Sequence, residues 1–160
     1  MWRPASATAV ALVIAGCAPQ VPATALRTAT PSVIVVPTEL PNGRIEIRVQ
    51  PTYLLGAPTR IDVSIVATQG TVIGPTEARV TAGGVNEAGA LTEVLVRRLG
   101  ARSATVTAGG RATTSLTWDG EDEFGVRVPA DAYVLLLEFE SNDGESARTI
   151  RATATLQMND

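Results

Sequence analysis

Trp118-Asp119-Gly120-Glu121-Asp122-Glu123-Phe124-Gly125-Val126-Arg127-Val128-Pro129-Ala130-Asp131-Ala132-Tyr133 is the stretch that decides the fold. An alternating apolar run ends at Trp118. An acidic turn bracketed by Gly120 and Gly125 follows, then a short Val126-Arg127-Val128 strand, then Pro129, and a long apolar strand opens at Tyr133. Two strands that end and begin within so few residues, with glycines and a proline between them, form the corner of an antiparallel β-sandwich. Nothing in the stretch supplies a residue set that could carry out a reaction.

On its C-terminal side, Tyr133, Leu135, Leu137 and Phe139 alternate with residues ending in Glu138 and Glu140, and Asn142-Asp143-Gly144 turns the chain. Ile150, Ala152, Ala154 and Leu156 return against them, leaving Thr149, Arg151, Thr153 and Thr155 on a solvated face. On its N-terminal side, residues 103–107 and 112–118 read as two strands of a hairpin joined across Ala108-Gly109-Gly110-Arg111. Residues 91–99 form a strand in which Val94, Leu95 and Val96 are consecutive, a pattern that suits partial cover on both faces. Residues 69–90 are punctuated by Gly70, Gly74, Pro75, Gly83, Gly84 and Gly89, and predict a long excursion with one short strand.

Farther back, residues 44–50 and 61–67 alternate cleanly, Ile45, Ile47 and Val49 and then Ile61, Val63 and Ile65 pointing one way. Val33 to Val36 is an edge strand stopped by Pro37, and Pro41-Asn42-Gly43 is a turn. Seven or eight short strands at roughly 8 to 12-residue spacing, with no helix between them, predict an all-β immunoglobulin-like antiparallel sandwich.

The composition narrows the function classes. A net charge of −3 leaves no basic field for nucleic acid, and all 13 basic residues are arginines, spread along the chain rather than clustered. With no histidine, the commonest general base and metal ligand is missing. Cys17 is the only cysteine, so no internal disulfide forms.

Residues 1–16 combine one positive charge with the uncharged run from Ala5 to Ala15, the charged and apolar regions of a secretory signal, too short to span a bilayer. Val13-Ile14-Ala15-Gly16-Cys17 resembles the lipobox of bacterial lipoproteins. The resemblance implies removal of residues 1–16, diacylglycerol on Cys17, and an extracytoplasmic protein lipid-anchored to a bacterial membrane; two acyl chains suffice for stable anchoring. Residues 17–31 then form a Pro/Ala/Thr tether that, fully extended, reaches about 45 to 50 Å. Residues 32–160 remain for the sandwich.

Val128-Pro129 ahead of Asp131-Ala132-Tyr133 occupies the place of a tyrosine corner, with Ala130-Asp131 where a glycine is usual. The Trp-Asp-Gly, acidic turn, Gly, Val-Pro-x-x-x-Tyr pattern resembles two families, the immunoglobulin-like domain of the flagellar hook-assembly scaffold and the bacterial intracellular proteinase inhibitor domain. It covers residues 113–140, and Glu93-Val94-Leu95-Val96-Arg97-Arg98-Leu99 leans toward the inhibitor type. The resemblance implies a non-enzymatic module, with Trp118, Asp119, Gly120, Gly125, Pro129 and Tyr133 as its structural motif.

Sharper chemistry does not fit. Asp119, Glu121, Asp122 and Glu123 are hard oxygen ligands at close spacing, but the alternation, central glycine and distant glutamate of an EF-hand loop are missing. Neighbouring carboxylates on one turn do not flank a substrate as a glycosidase pair does. Ser64, Ser103 and Ser115 have no histidine or lysine to activate them. Trp118 sits at an inward position and reads as core. The chain is therefore expected to be a monomer with no catalytic residue, metal site, cofactor or small-molecule substrate, held to a membrane through Cys17 and binding a protein partner at the cell envelope. The alternative is a proteinase inhibitor that presents residues 69–90 as its loop.

Overall fold

The computed structural model describes residues 32–85 and 87–160; Cys17, the lipobox and the tether lie outside them. Ten strands run through the described residues: β1 (Ile34–Leu40), β2 (Gly43–Val49), β3 (Tyr53–Leu54), β4 (Thr59–Ala67), β5 (Thr71–Val85), β6 (Leu91–Arg98), β7 (Ala104–Thr107), β8 (Arg111–Trp118), β9 (Ala132–Asn142) and β10 (Ala147–Asn159). They build two sheets, one ordered β1-β2-β4-β8 and the other β3-β10-β9-β5-β6 with β7 also paired to β5. The result is an all-β immunoglobulin-like sandwich. Every pairing is antiparallel except the two-residue match of β3 to the end of β10.

The period-two pattern does what it predicts. Ile45, Ile47, Ile61, Val63, Ile65, Leu116 and Trp118 of the four-stranded sheet are buried against Val80, Leu135, Leu137, Phe139, Leu156 and Met158 of the other. The β9–β10 register sets Phe139 opposite Ile150, Leu137 opposite Ala152, Leu135 opposite Ala154 and Tyr133 opposite Leu156. Each fully buried aliphatic or aromatic side chain contributes about 1.5 to 3 kcal/mol, so this interface is the main source of stability.

Asn42 joins the sheets at one end. It lies in the β1–β2 turn, is fully buried, and its Nδ2 donates to the carbonyls of Thr71 on β5 and Asn142 on β9, each at 3.1 Å. The Ser141 hydroxyl completes the set by donating to Asn42 Oδ1 at 2.6 Å.

Several local expectations give way, among them the strand stopped at Pro37, since β1 runs through that residue with Pro37 opposite Glu46. Residues 69–90 are not an excursion: β5 is a 15-residue strand inside the six-stranded sheet. Gly74 serves packing, since a Cβ there would stand 2.5 Å from Cδ1 of Phe139, and the pairing with β9 shifts register between Ile73 and Glu77. Residues 103–107 and 112–118 are not a hairpin either. β7 pairs with β5 and β8 with β4, because the Gly109-Gly110 turn is bonded to the β4–β5 connection, Gly109 N to Ala67 O at 2.8 Å and Ala108 N to Gly70 O at 2.9 Å. Val126-Arg127-Val128 forms only a single bridge, Glu121 to Arg127. β6 is a largely exposed edge rather than a strand partly covered on both faces, and its three consecutive apolar residues follow from a bulge that leaves Val96 unmatched between Leu95↔Thr81 and Arg97↔Val80. The strand count rises above eight partly because two-residue β3 has no periodic signature to read.

Candidate interaction surface

The corner after β8 is built from the inside out. Trp118 is 1% exposed; its Nε1 donates to the Glu121 carbonyl at 2.9 Å, and its ring meets Tyr133 edge-on, centroids 5.3 Å apart. The Tyr133 hydroxyl donates to the Pro129 carbonyl at 2.8 Å, and burial pushes its pKa up, with Asp131 adding to the shift. Gly120, at φ 74°, turns the chain where Val128 N returns a bond to its carbonyl at 2.9 Å. Gly125, at φ 77°, makes the second turn.

Around these glycines the carboxylates have different tasks. Asp119 Oδ1 accepts from Glu121 N at 3.1 Å, and Oδ2 faces the Arg97 guanidinium at 3.9 Å. Asp122 Oδ1 accepts from both Phe124 N at 2.9 Å and Val126 N at 2.8 Å, which fixes the loop tip. The loop is also clipped to β6: Glu123 N donates to the Val96 carbonyl at 2.9 Å, and Arg97 donates to the Asp122 carbonyl. Among the described residues no group of three or more His, Cys, Asp or Glu side chains is placed to hold a metal. Ser115 donates to Asp62 Oδ1 at 2.5 Å on an outer sheet face.

Comparison with known proteins assigns no family. No family model matches the chain, and no curated protein matches it. Among solved structures it is similar to the ASH/PapD-like domain 7 of human CEP192, at 16% identity and a TM-score of 0.44, over 77% of this chain and 90% of that one. It is also similar to the CsuC–CsuE chaperone–tip adhesion subunit complex of Csu pili from Acinetobacter baumannii, at 12% identity and a TM-score of 0.40, over 68% of this chain and about half (52%) of that one. A β-glucosidase from Listeria innocua shares 12% identity at a TM-score of 0.36, over 80% of this chain and 16% of the enzyme's. These likenesses concern fold.

The surface that sequence reasoning missed lies beside the corner. Past the last β5–β9 pair, Thr81↔Val134, β5 and β6 continue together through Val85↔Leu91, so the hairpin extends beyond its sheet as an arm. β6 is the outermost strand, and Glu123 meets its free edge only at Val96. Leu91 is 89% exposed, Val94 49% and Leu95 37%. An unpaired edge offers backbone donors and acceptors in a row, and here aliphatic side chains flank them, which is the surface an extended segment of another protein needs. The signal was present in Val94-Leu95-Val96, but an apolar run is read as buried until topology shows it at an edge.

Proposed function

We infer that the chain is a lipid-anchored protein of the bacterial cell envelope that presents a non-enzymatic immunoglobulin-like module and binds another protein through the β5–β6 arm. The observation that carries the reading is a sheet-edge strand with exposed aliphatic side chains on both faces, Leu91 and Leu95 on one and Val94 on the other. Backbone pairing would supply affinity and the alternating side chains specificity. Val13-Ile14-Ala15-Gly16-Cys17 supports the anchor. The absence of histidine and lysine supports a role without catalysis. The inhibitor alternative needs residues 69–90 as a presented loop, and most of that stretch is paired strand.

Affinity capture from solubilised membranes compares the parent with a Leu91→Glu, Val94→Glu variant. A partner retained by the parent and lost by the variant is expected; a partner held equally by both removes the arm from the reading. Metabolic labelling with a fatty-acid analogue tests the anchor separately. Label on the parent and none on Cys17→Ser is expected, whereas label on both ends the lipoprotein claim.

A further inference from the structure

The outer edge of β6 has no partner strand from Leu91 to Leu95, between the arm's turn and the point at Val96 where Glu123 N closes the edge. A charge stands at the centre of that stretch. Glu93 is exposed, lies on the same face as Leu91 and Leu95, and is matched on β5 by Gly83, where even an added Cβ would meet nothing within 4 Å. Its carboxylate has no side chain across from it on the arm, and it takes part in no ion pair among the described residues.

Nothing of opposite sign on the same chain neutralises it. Arg97 is engaged, facing Asp119 at 3.9 Å and donating to the Asp122 carbonyl, and Arg98 lies beyond the closure at Val96. Glu123, at the closure itself, adds a second exposed carboxylate. A strand laid along the free stretch therefore meets apolar, acidic and apolar side chains in turn on one face of β6. A second copy does not fit there. The antiparallel register that pairs the whole stretch with itself centres on residue 93 and sets Glu93 directly opposite Glu93, and like charges so placed are destabilising. A carboxylate on an edge guards against self-pairing in this way, yet it leaves the edge open to a strand of opposite charge.

We propose that β6 takes an extended segment of a partner protein that carries a lysine or arginine opposite Glu93, with apolar side chains at the alternate positions opposite Leu91 and Leu95. This rests on the reading of the β5–β6 arm as the binding surface and adds the chemistry of what binds. Backbone hydrogen bonds along the edge hold the segment, and the two leucines cover its apolar side chains. The pair with Glu93 sets the register, because a slip of one residue turns the basic side chain to the opposite face, where it meets Thr92 and Val94.

An amide-resolved NMR titration of the full chain tests the proposal with two synthetic peptides that alternate valine and threonine and differ only at the central valine, replaced by lysine in one and by glutamate in the other. The lysine peptide should shift the amides of residues 91–95 with a Kd of roughly 0.1 to 1 mM. It should bind about threefold to tenfold tighter than the glutamate peptide, and added salt should narrow that ratio. Glu93→Lys, a change at an exposed position, should reverse the order of the two peptides, and its spectrum outside the arm reports that the sandwich is intact. Equal binding of both peptides at β6 overturns the proposal and leaves the arm as a docking surface. So does an order that Glu93→Lys fails to reverse. A titration in which neither peptide moves β6 removes the proposal and the reading of the arm beneath it.

Discussion

The rings of Trp118 and Tyr133 meet edge-on with centroids 5.3 Å apart and planes at 71°, joining the end of β8 to the start of β9. Both side chains are buried and the tyrosine is tied back to Pro129, so the corner is one packed unit. Trp118→Ala should cost about 3 to 5 kcal/mol through lost burial and a cavity, a large share of a domain's total stability. Tyr133→Phe keeps the edge-on contact and strands the Pro129 carbonyl, for about 1 to 3 kcal/mol. Urea unfolding midpoints check both, and a Trp118→Ala loss under 1 kcal/mol would mean the ring does not hold the corner.

Asn42 should matter as much as either aromatic. Asn42→Ala strands two carbonyls and the Ser141 hydroxyl between the sheets, and about 2 to 4 kcal/mol should be lost, while Ser141→Ala should cost about 1 kcal/mol. Asn42→Asp should be at least as damaging, because it turns two donors into acceptors facing carbonyls. Thermal unfolding of the three variants orders them. If Ser141→Ala proved as costly as Asn42→Ala, the two donations to Thr71 and Asn142 would be contributing nothing.

Asn42 also marks where sequence reasoning stops. Alternation in β2, β4, β9 and β10 named the core residues, because a strand's period is local and burial follows from it. Asn42 read as a turn residue, since its three partners lie 29 to 100 positions away and only the assembled sandwich brings them near. The same reason hid β5, whose glycines signal a loop until Phe139 is seen pressed against Gly74. It also hid the exposed arm, because a bulge and an edge are properties of pairing, not of composition.

The acidic turn reads in sequence as four equivalent solvated charges, for which replacing Glu121, Asp122 and Glu123 together would change stability by less than about 1 kcal/mol. The structure separates them. Asp122 accepts two backbone N–H bonds at the tip, so Asp122→Ala should cost about 1 to 2 kcal/mol, whereas Glu123→Ser should stay within about 0.5 kcal/mol of the parent. Hydrogen exchange at Phe124 and Val126 gives a second measure: their amides should exchange faster in Asp122→Ala and not in Glu123→Ser. Equal behaviour of the two variants would return the loop to an undifferentiated charged tip.

Asp62 makes the stability depend on acid. The Ser115 hydroxyl, and after it Arg60, holds its carboxyl below the usual carboxylate range. A carboxylate whose folded pKa lies below its unfolded value of about 3.9 stabilises the protein above that pH, and the contribution is lost as pH falls through the folded value. The side chain is 38% exposed, so solvent and salt screen the effect and it should be small. Asp143 is held low as well, by the backbone N–H groups of Ser146 and Glu145, but it does so in any variant that leaves its turn alone. The informative quantity is therefore the difference between the parent and Ser115→Ala. That difference should be largest near neutral pH and close as pH falls from about 4 toward 2, because protonated Asp62 no longer discriminates between a hydroxyl and a methyl group. Unfolding midpoints measured across this range decide it: a difference that stays constant with pH would show that Ser115 acts through packing and not through the Asp62 charge.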